Sequence, residues 1–79
     1  ISDAHMLLVN HIETLKNNPS ESPFIFLMML NTLGRNAYEY FDAGMIQDLI
    51  LLTERIQNYS EEHKNRMRQN ITSLIKNPN

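Results

Sequence analysis

A series of apolar residues at helical spacing constrains this chain most. Its members follow one another at steps of three or four: Phe26, Leu30, Leu33, Ala37 and Phe41. Residues three or four apart lie on one face of an α-helix, so the series predicts one amphipathic helix over about residues 23 to 43. Gly34 lies on this face without interrupting the series, and the alternative is a helix that kinks or breaks there.

Start and stop signals divide the rest of the chain into three further helices. Ser22 and Pro23 are typical of a helix start, and Gly44 is typical of a helix end. Ser60 precedes two glutamates that suit the positive end of a helix dipole, so another helix is expected to begin there. The predicted helices span about residues 6 to 17, 23 to 43, 45 to 58 and 61 to 76. The predicted fold class is therefore all-α, a small antiparallel helical bundle of about four helices.

The length of the chain allows one domain. It has 79 residues and no cysteine, which removes disulfides and thiolate ligands. A chain of this size buries only about 60% of the surface that it exposes when unfolded, so a second subunit would add useful stability. Residues 1–5 and the methionine that follows them resemble what a common cloning site leaves before a start codon. We expect residues 1–5 to be a vector remnant without tertiary contacts, and residues 6–79 to be the single helical domain.

Charge and hydropathy narrow the classes of function. The formal net charge is −2, so no overall positive field attracts the chain to nucleic acid or to an anionic membrane. The longest apolar run, Phe24 to Leu30, is far shorter than the ~20 residues that span a bilayer. No signal peptide opens the sequence. We therefore expect a cytoplasmic protein that does not bind membranes.

The chain lacks the residue groupings on which catalysis at neutral pH usually depends. No nucleophile with an adjacent base, carboxylate pair or metal-binding motif can be assembled from the pattern. His11 and His63 are expected at the edge of the core, with their rings covering apolar residues. One acidic group is worth testing as a cation site, although a solvated surface is favoured: Glu39, Asp42 and Asp48. We therefore expect no enzyme activity, no cofactor and no bound metal.

Basic residues gather on the fourth predicted helix. Lys64, Arg66 and Arg68 are of the types that contact DNA phosphates and base edges. On a helix, however, Arg66 emerges on the opposite side of the apolar stripe from the other two. Glu62 is also placed to pair with Arg66 at a separation of four residues. A self-paired surface is favoured, and a DNA-binding transcriptional regulator remains the alternative function.

The run from Phe24 to Leu30 holds more apolar residues than one helix face needs. The predicted buried stripe accounts for four of them: Phe26, Leu27, Met29 and Leu30. Phe24, Ile25 and Met28 point away from this stripe, as does Leu51 on the third helix. Burying such a side chain is worth about 1.5 to 3 kcal/mol. Leaving all four in water would forgo an amount comparable with the ~5 to 15 kcal/mol stability of a small domain.

Two interpretations of these four residues remain open. In one, the second helix is central and its first two turns are enclosed by the other helices, so the residues are core. In the other, they form a contact surface through which two copies of the second helix cross in a homodimer, with Leu51 at the rim. The second interpretation predicts a small non-enzymatic interaction or regulatory protein. The identity of any other protein partner does not follow from the sequence.

Overall fold

Four α-helices form the part of the chain that the computed structural model describes, residues 3–33 and 40–74. Helix α1 spans Asp3–Asn17, α2 spans Phe24–Leu33, α3 spans Ala43–Thr53 and α4 spans Glu61–Thr72. No strand occurs within these described ranges. The predicted all-α helical bundle is confirmed.

Contacts between α1 and α3 show that these helices run in the same direction. Near the start of each helix, Nδ1 of His5 lies 3.1 Å from the carbonyl oxygen of Tyr40. Further along, Nζ of Lys16 lies 3.3 Å from a carboxylate oxygen of Asp48. The chain must therefore return from the end of α1 to the start of α3, and α2 forms part of this returning segment.

Contacts between α2 and α4 show the same relation for the second pair. The ring of Phe24, at the start of α2, packs against Tyr59, which lies just before α4. Near the ends of both helices, Nδ2 of Asn70 donates a hydrogen bond of 2.7 Å to Oδ1 of Asn31. Successive helices thus alternate in direction, as in an up-and-down bundle.

One face of each helix supplies the core. The side chains most completely buried come from all four helices, from the residue before α2 and from the turn that follows α4: Ile12, Leu15, Pro23, Leu27, Leu49, Thr53, Ile71 and Leu74. Two methionines, Met45 on α3 and Met67 on α4, are also buried. No buried side-chain nitrogen or oxygen of the described residues lacks a hydrogen-bond partner. The apolar faces therefore meet without leaving a costly unpaired polar group.

Short polar side chains cap α3 and α4 at their N-termini. Oδ1 of Asp42 accepts a hydrogen bond of 2.9 Å from the backbone N–H of Met45. Oγ of Ser60 accepts one of 3.2 Å from the backbone N–H of His63. Each bond satisfies an amide that has no partner within its helix. The predicted helix start at Ser60 is confirmed.

The prediction of one helix up to residue 43 is wrong at its C-terminal end. Residues 41–42 are not helical, and Asp42 has an extended backbone with φ −121° and ψ 174°. Gly44, expected to end the second helix, lies in the first turn of α3. Apolar spacing continues through this segment, but the carboxylate of Asp42 caps a new helix there. Continuity through Gly34 concerns residues 34–39, which lie outside the described residues.

Three further boundaries differ from the predictions. Helix α1 begins at Asp3, and His5 contacts the start of the α3 region, so the expected lack of contacts in residues 1–5 is wrong for this residue. Helix α3 ends at Thr53 rather than near residue 58, and Asn58 has a positive φ of 61°, which no helix residue adopts. Helix α4 ends at Thr72, and residues 75–79 lie outside the described part.

Arg55 joins the α3–α4 loop to the C-terminal end of α1. Its guanidinium donates hydrogen bonds to three backbone carbonyls, those of Leu15 at 2.6 Å, Asn18 at 2.8 Å and Glu21 at 2.6 Å. The cation therefore lies at the negative end of the α1 dipole and also holds the α1–α2 loop. On a third helix that extended to residue 58, Arg55 would lie opposite the apolar face and in solvent. Spacing within one helix carries no information about carbonyls so distant along the chain.

We expect Arg55→Ala to lower the free energy of unfolding by about 1.5 to 3 kcal/mol, because three carbonyls lose a charged donor. Urea denaturation followed by circular dichroism measures this change. Arg66→Ala is the matched control, since that guanidinium is 65% exposed and pairs at 3.5 Å with Glu62. The control should change the free energy by no more than about 1 kcal/mol. Equal losses in the two variants would contradict the role assigned to Arg55.

Candidate functional site

The structure divides the four predicted contact residues into two exposed and two partly covered side chains. Ile25 is 71% exposed and Leu51 is 57% exposed. Phe24 and Met28 are half-buried and pack against the core. Met29, which the pattern assigned to the buried stripe, is instead 62% exposed. Ile25 and Met29 are one helical turn apart, so α2 presents two neighbouring apolar side chains to solvent.

Tyr59 covers the two half-buried residues, Phe24 and Met28. Its ring centroid lies 5.3 Å from that of Phe24, with the ring planes at 75°, an edge-to-face arrangement that favours aromatic pairs. Its hydroxyl lies 4.0 Å from the sulfur of Met28. The ring of His63 packs on Tyr59 with the centroids 5.1 Å apart. The signal for this contact in the sequence is an aromatic residue, Tyr59, directly before the helix cap at Ser60.

Ile25 and Met29 border an apolar cleft between α1 and α2, which we call the α1–α2 cleft. Its volume is about 460 Å³. Side chains of both helices and of the loop between them line it: His11, Leu15, Glu21, Ile25, Phe26 and Met29. A cleft of this size with mostly apolar walls and a few polar groups is the usual form of a binding site.

His11 forms one wall of the cleft. Its ring centroid lies 4.4 Å from that of Phe26, with the ring planes at 62°. This contact places the imidazole over a partly buried aromatic residue, as expected for a histidine at the edge of the core. Leu7 precedes His11 by one turn on the same face of α1 and is 70% exposed. The exposed apolar surface therefore includes residues of α1 as well as α2.

Leu51 belongs to a different depression. It lies on α3 with a further set of mostly apolar residues around a space of about 380 Å³: Ala43, Ile46, Gln47 and Ile50. None of these residues lines the α1–α2 cleft. Leu51 and Ile25 are thus both exposed but border separate apolar surfaces.

The basic residues of α4 are engaged within the protein to different degrees. The side chain of Lys64 is only 14% exposed, and its ammonium lies 3.8 Å from the carboxylate of Glu61. Arg68 is 21% exposed and donates from Nε to the hydroxyl of buried Thr53 at 2.8 Å. Arg66 is well exposed and pairs with a glutamate one turn earlier, as predicted. Two of the three cations therefore support the packing of α4.

The acidic residues proposed as a cation site have separate roles where the structure describes them. Asp42 caps α3, and Asp48 pairs with Lys16. The ammonium of Lys16 donates hydrogen bonds to Asp48 and to Glu13. These bonds raise the pKa of Lys16 above its usual value, and the bond to Asp48 has the larger effect. Glu39 lies outside the described residues. Within the described ranges, no group of three or more potential metal ligands is present.

We expect Tyr59→Ala to lower the free energy of unfolding by about 1 to 3 kcal/mol, because it uncovers Phe24 and Met28. Tyr59→Phe is the matched control, since it keeps the ring and removes only the hydroxyl, and it should cost less than about 1 kcal/mol. Thermal and urea denaturation measure both changes. A loss in Tyr59→Phe as large as in Tyr59→Ala would show that the ring is not the covering element.

No helix in the described part of the chain is long and apolar enough to cross a membrane. Comparisons of the chain with protein-family models, with curated proteins and with solved structures find no match. The exposed apolar surface around Ile25 and Met29 is thus the feature from which a function can be argued.

Proposed function

We propose that this protein is a non-enzymatic protein–protein interaction module that acts as a homodimer through α2 and the α1–α2 cleft. The observation that carries this proposal is the exposure of Ile25 and Met29 together on one face of α2. Single exposed apolar residues are normal on protein surfaces, whereas adjoining ones beside an apolar cleft are typical of interaction sites. Met and Phe also suit interfaces that must adapt their packing.

The expected strength of such a contact follows from the area that remains exposed. About one third of the surface of Ile25 and of Met29 is already covered in the protomer. Burying the remainder in both protomers would contribute roughly 4 to 8 kcal/mol to the free energy of association. Association costs about 4 to 15 kcal/mol in lost freedom of motion. The burial of these two residues alone therefore barely offsets the cost of association. A stable contact also needs burial of Phe26, which lines the cleft, and of Leu7, which is exposed one turn before His11 on α1.

A second copy of the chain is the occupant that the charges favour. Helix α2, from Phe24 to Leu33, has no acidic or basic side chain. Two copies can therefore meet across a two-fold axis without placing like charges opposite each other, although each chain carries a formal net charge of −2. A charged partner would find no ion-pair partner on this helix. In such a dimer, Ile25 of one protomer lies against Met29 of the other.

A dimer interface of standard size would cover a modest share of the surface of this chain. A standard interface covers about 800 Å² of each partner, and the described chain has a total accessible surface of 5496 Å². Such an interface would bury roughly a seventh of that surface. A second subunit would also enlarge a core that is small in a domain of this length. A chain without cysteine suits the reducing cytoplasm, where we propose that the module acts.

The alternative, a DNA-binding regulator that uses α4, has less support from the geometry. Lys64 and Arg68 are mostly covered, which leaves Arg66 as the exposed cation of the three. We expect no saturable binding of duplex DNA in a fluorescence anisotropy titration at about 50 mM salt. Binding that weakens steeply between about 50 and 200 mM salt, and that Arg66→Ala reduces, would favour the regulator instead.

We expect wild-type protein to dimerise in sedimentation experiments at concentrations up to about 100 µM, because a contact of this size gives a modest affinity. The double variant Ile25→Ser with Met29→Ser should be monomeric over the same range. Its helicity by far-UV circular dichroism should match wild type, since both side chains are exposed in the protomer. The wild-type melting temperature should also rise with protein concentration, because association stabilises the folded state.

Leu51→Ser is the matched control for the dimer. Its side chain is 57% exposed, similar to that of Met29, but it borders the separate depression on α3. This variant should remain dimeric. Dissociation of the Leu51→Ser protein alone would move the interface to α3, and a wild type that stays monomeric would refute the homodimer.

A further inference from the structure

We infer that His11 makes the homodimer sensitive to pH, because protonation of its imidazole opposes closure of the α1–α2 cleft. This inference rests on the proposed homodimer and adds its regulation. His11 lines the cleft together with Ile25 and Met29, so a second copy seated on those two residues also covers the imidazole. Imidazole is the side chain whose charge changes between about pH 5 and 8.

The geometry explains why covering favours the neutral form. In the separate protomer, His11 is exposed, and its ring lies edge-on to Phe26 at 4.4 Å between centroids. Water can therefore solvate the imidazolium when the cleft is open. A second copy would replace that water with apolar side chains, and burial disfavours the charged form of an ionisable group. Protonation of the imidazole and closure of the cleft therefore oppose each other.

Few charges surround His11 that could stabilise a buried imidazolium. Helix α2 has no ionisable side chain, and the residues one turn away on α1 are also not titratable: Leu7, Leu8, Thr14 and Leu15. Of the described residues that line the cleft, Glu21 is the other ionisable one. It lies on the α1–α2 loop and is exposed, and no ion pair among the described residues joins its carboxylate to His11.

The expected size of the effect follows from the symmetry of the dimer. Each dimer covers two copies of His11, so dissociation takes up as many as two protons. The dimer dissociation constant should therefore rise on acidification, with a slope of up to about two logarithmic units per pH unit once the imidazoles titrate. Between pH 7.5 and 5.5 we expect an increase of at least about tenfold.

Sedimentation equilibrium at several pH values between about 5 and 8 tests this inference. Wild type should dissociate more readily at low pH, with far-UV helicity unchanged at each point. His11→Gln keeps a polar side chain that cannot titrate, and its dissociation constant should vary by less than about twofold over the same range. His63→Gln is the matched control: His63 stacks on Tyr59 outside the cleft, so this variant should keep the pH dependence of wild type.

The outcomes separate this inference from the homodimer itself. A wild type that is monomeric even at pH 7.5 overturns the homodimer and the inference with it. A dimer whose dissociation constant does not change with pH overturns the inference alone. A His11→Gln dimer that retains the wild-type pH dependence also overturns it, and transfers the effect to another group. Loss of the dependence in His11→Gln but not in His63→Gln supports it.

Discussion

The guanidinium of Arg55 joins three parts of the chain, in addition to the Lys16–Asp48 pair that also links α1 to α3. It donates to carbonyls at the end of α1 and in the α1–α2 loop, while its own backbone lies just beyond α3. Glu21, whose carbonyl it binds, also lines the α1–α2 cleft. This bonded loop therefore connects the two helices that border the cleft. A charged donor suits the task because it binds several carbonyls at once.

Tyr59 covers part of the apolar run from Phe24 to Leu30. The ring lies against Phe24 and the hydroxyl against Met28, so these side chains are largely enclosed within the protomer. Ile25 and Met29 lie beyond its reach and stay in solvent. The two interpretations drawn from the sequence thus each describe part of the same helix. The exposed part, not the whole run, supports the proposed interaction surface.

Absence of charge on α2 makes the proposed surface suited to self-association and also sensitive to any charge placed beside it. If several ion pairs surrounded the cleft, their carboxylates would stabilise an additional positive charge there. Beside Ile25, Phe26 and Met29, an imidazolium on His11 has no carboxylate on α2 with which to pair, so its burial there is costly. The same property that lets two copies approach therefore provides a means of separating them.

The sequence by itself determined the fold class, most of the buried face of α2, the Ser60 cap and the Glu62 to Arg66 pair, because these follow from helical periodicity and from neighbours within a turn. It did not determine where α2 gives way to α3, since apolar spacing continues through the segment and the cap at Asp42 outweighs it. Only the tertiary structure decided the exposure of Met29 and the bonds of Arg55. Both depend on groups from other helices and loops, and a helical period describes a single helix and not its neighbours.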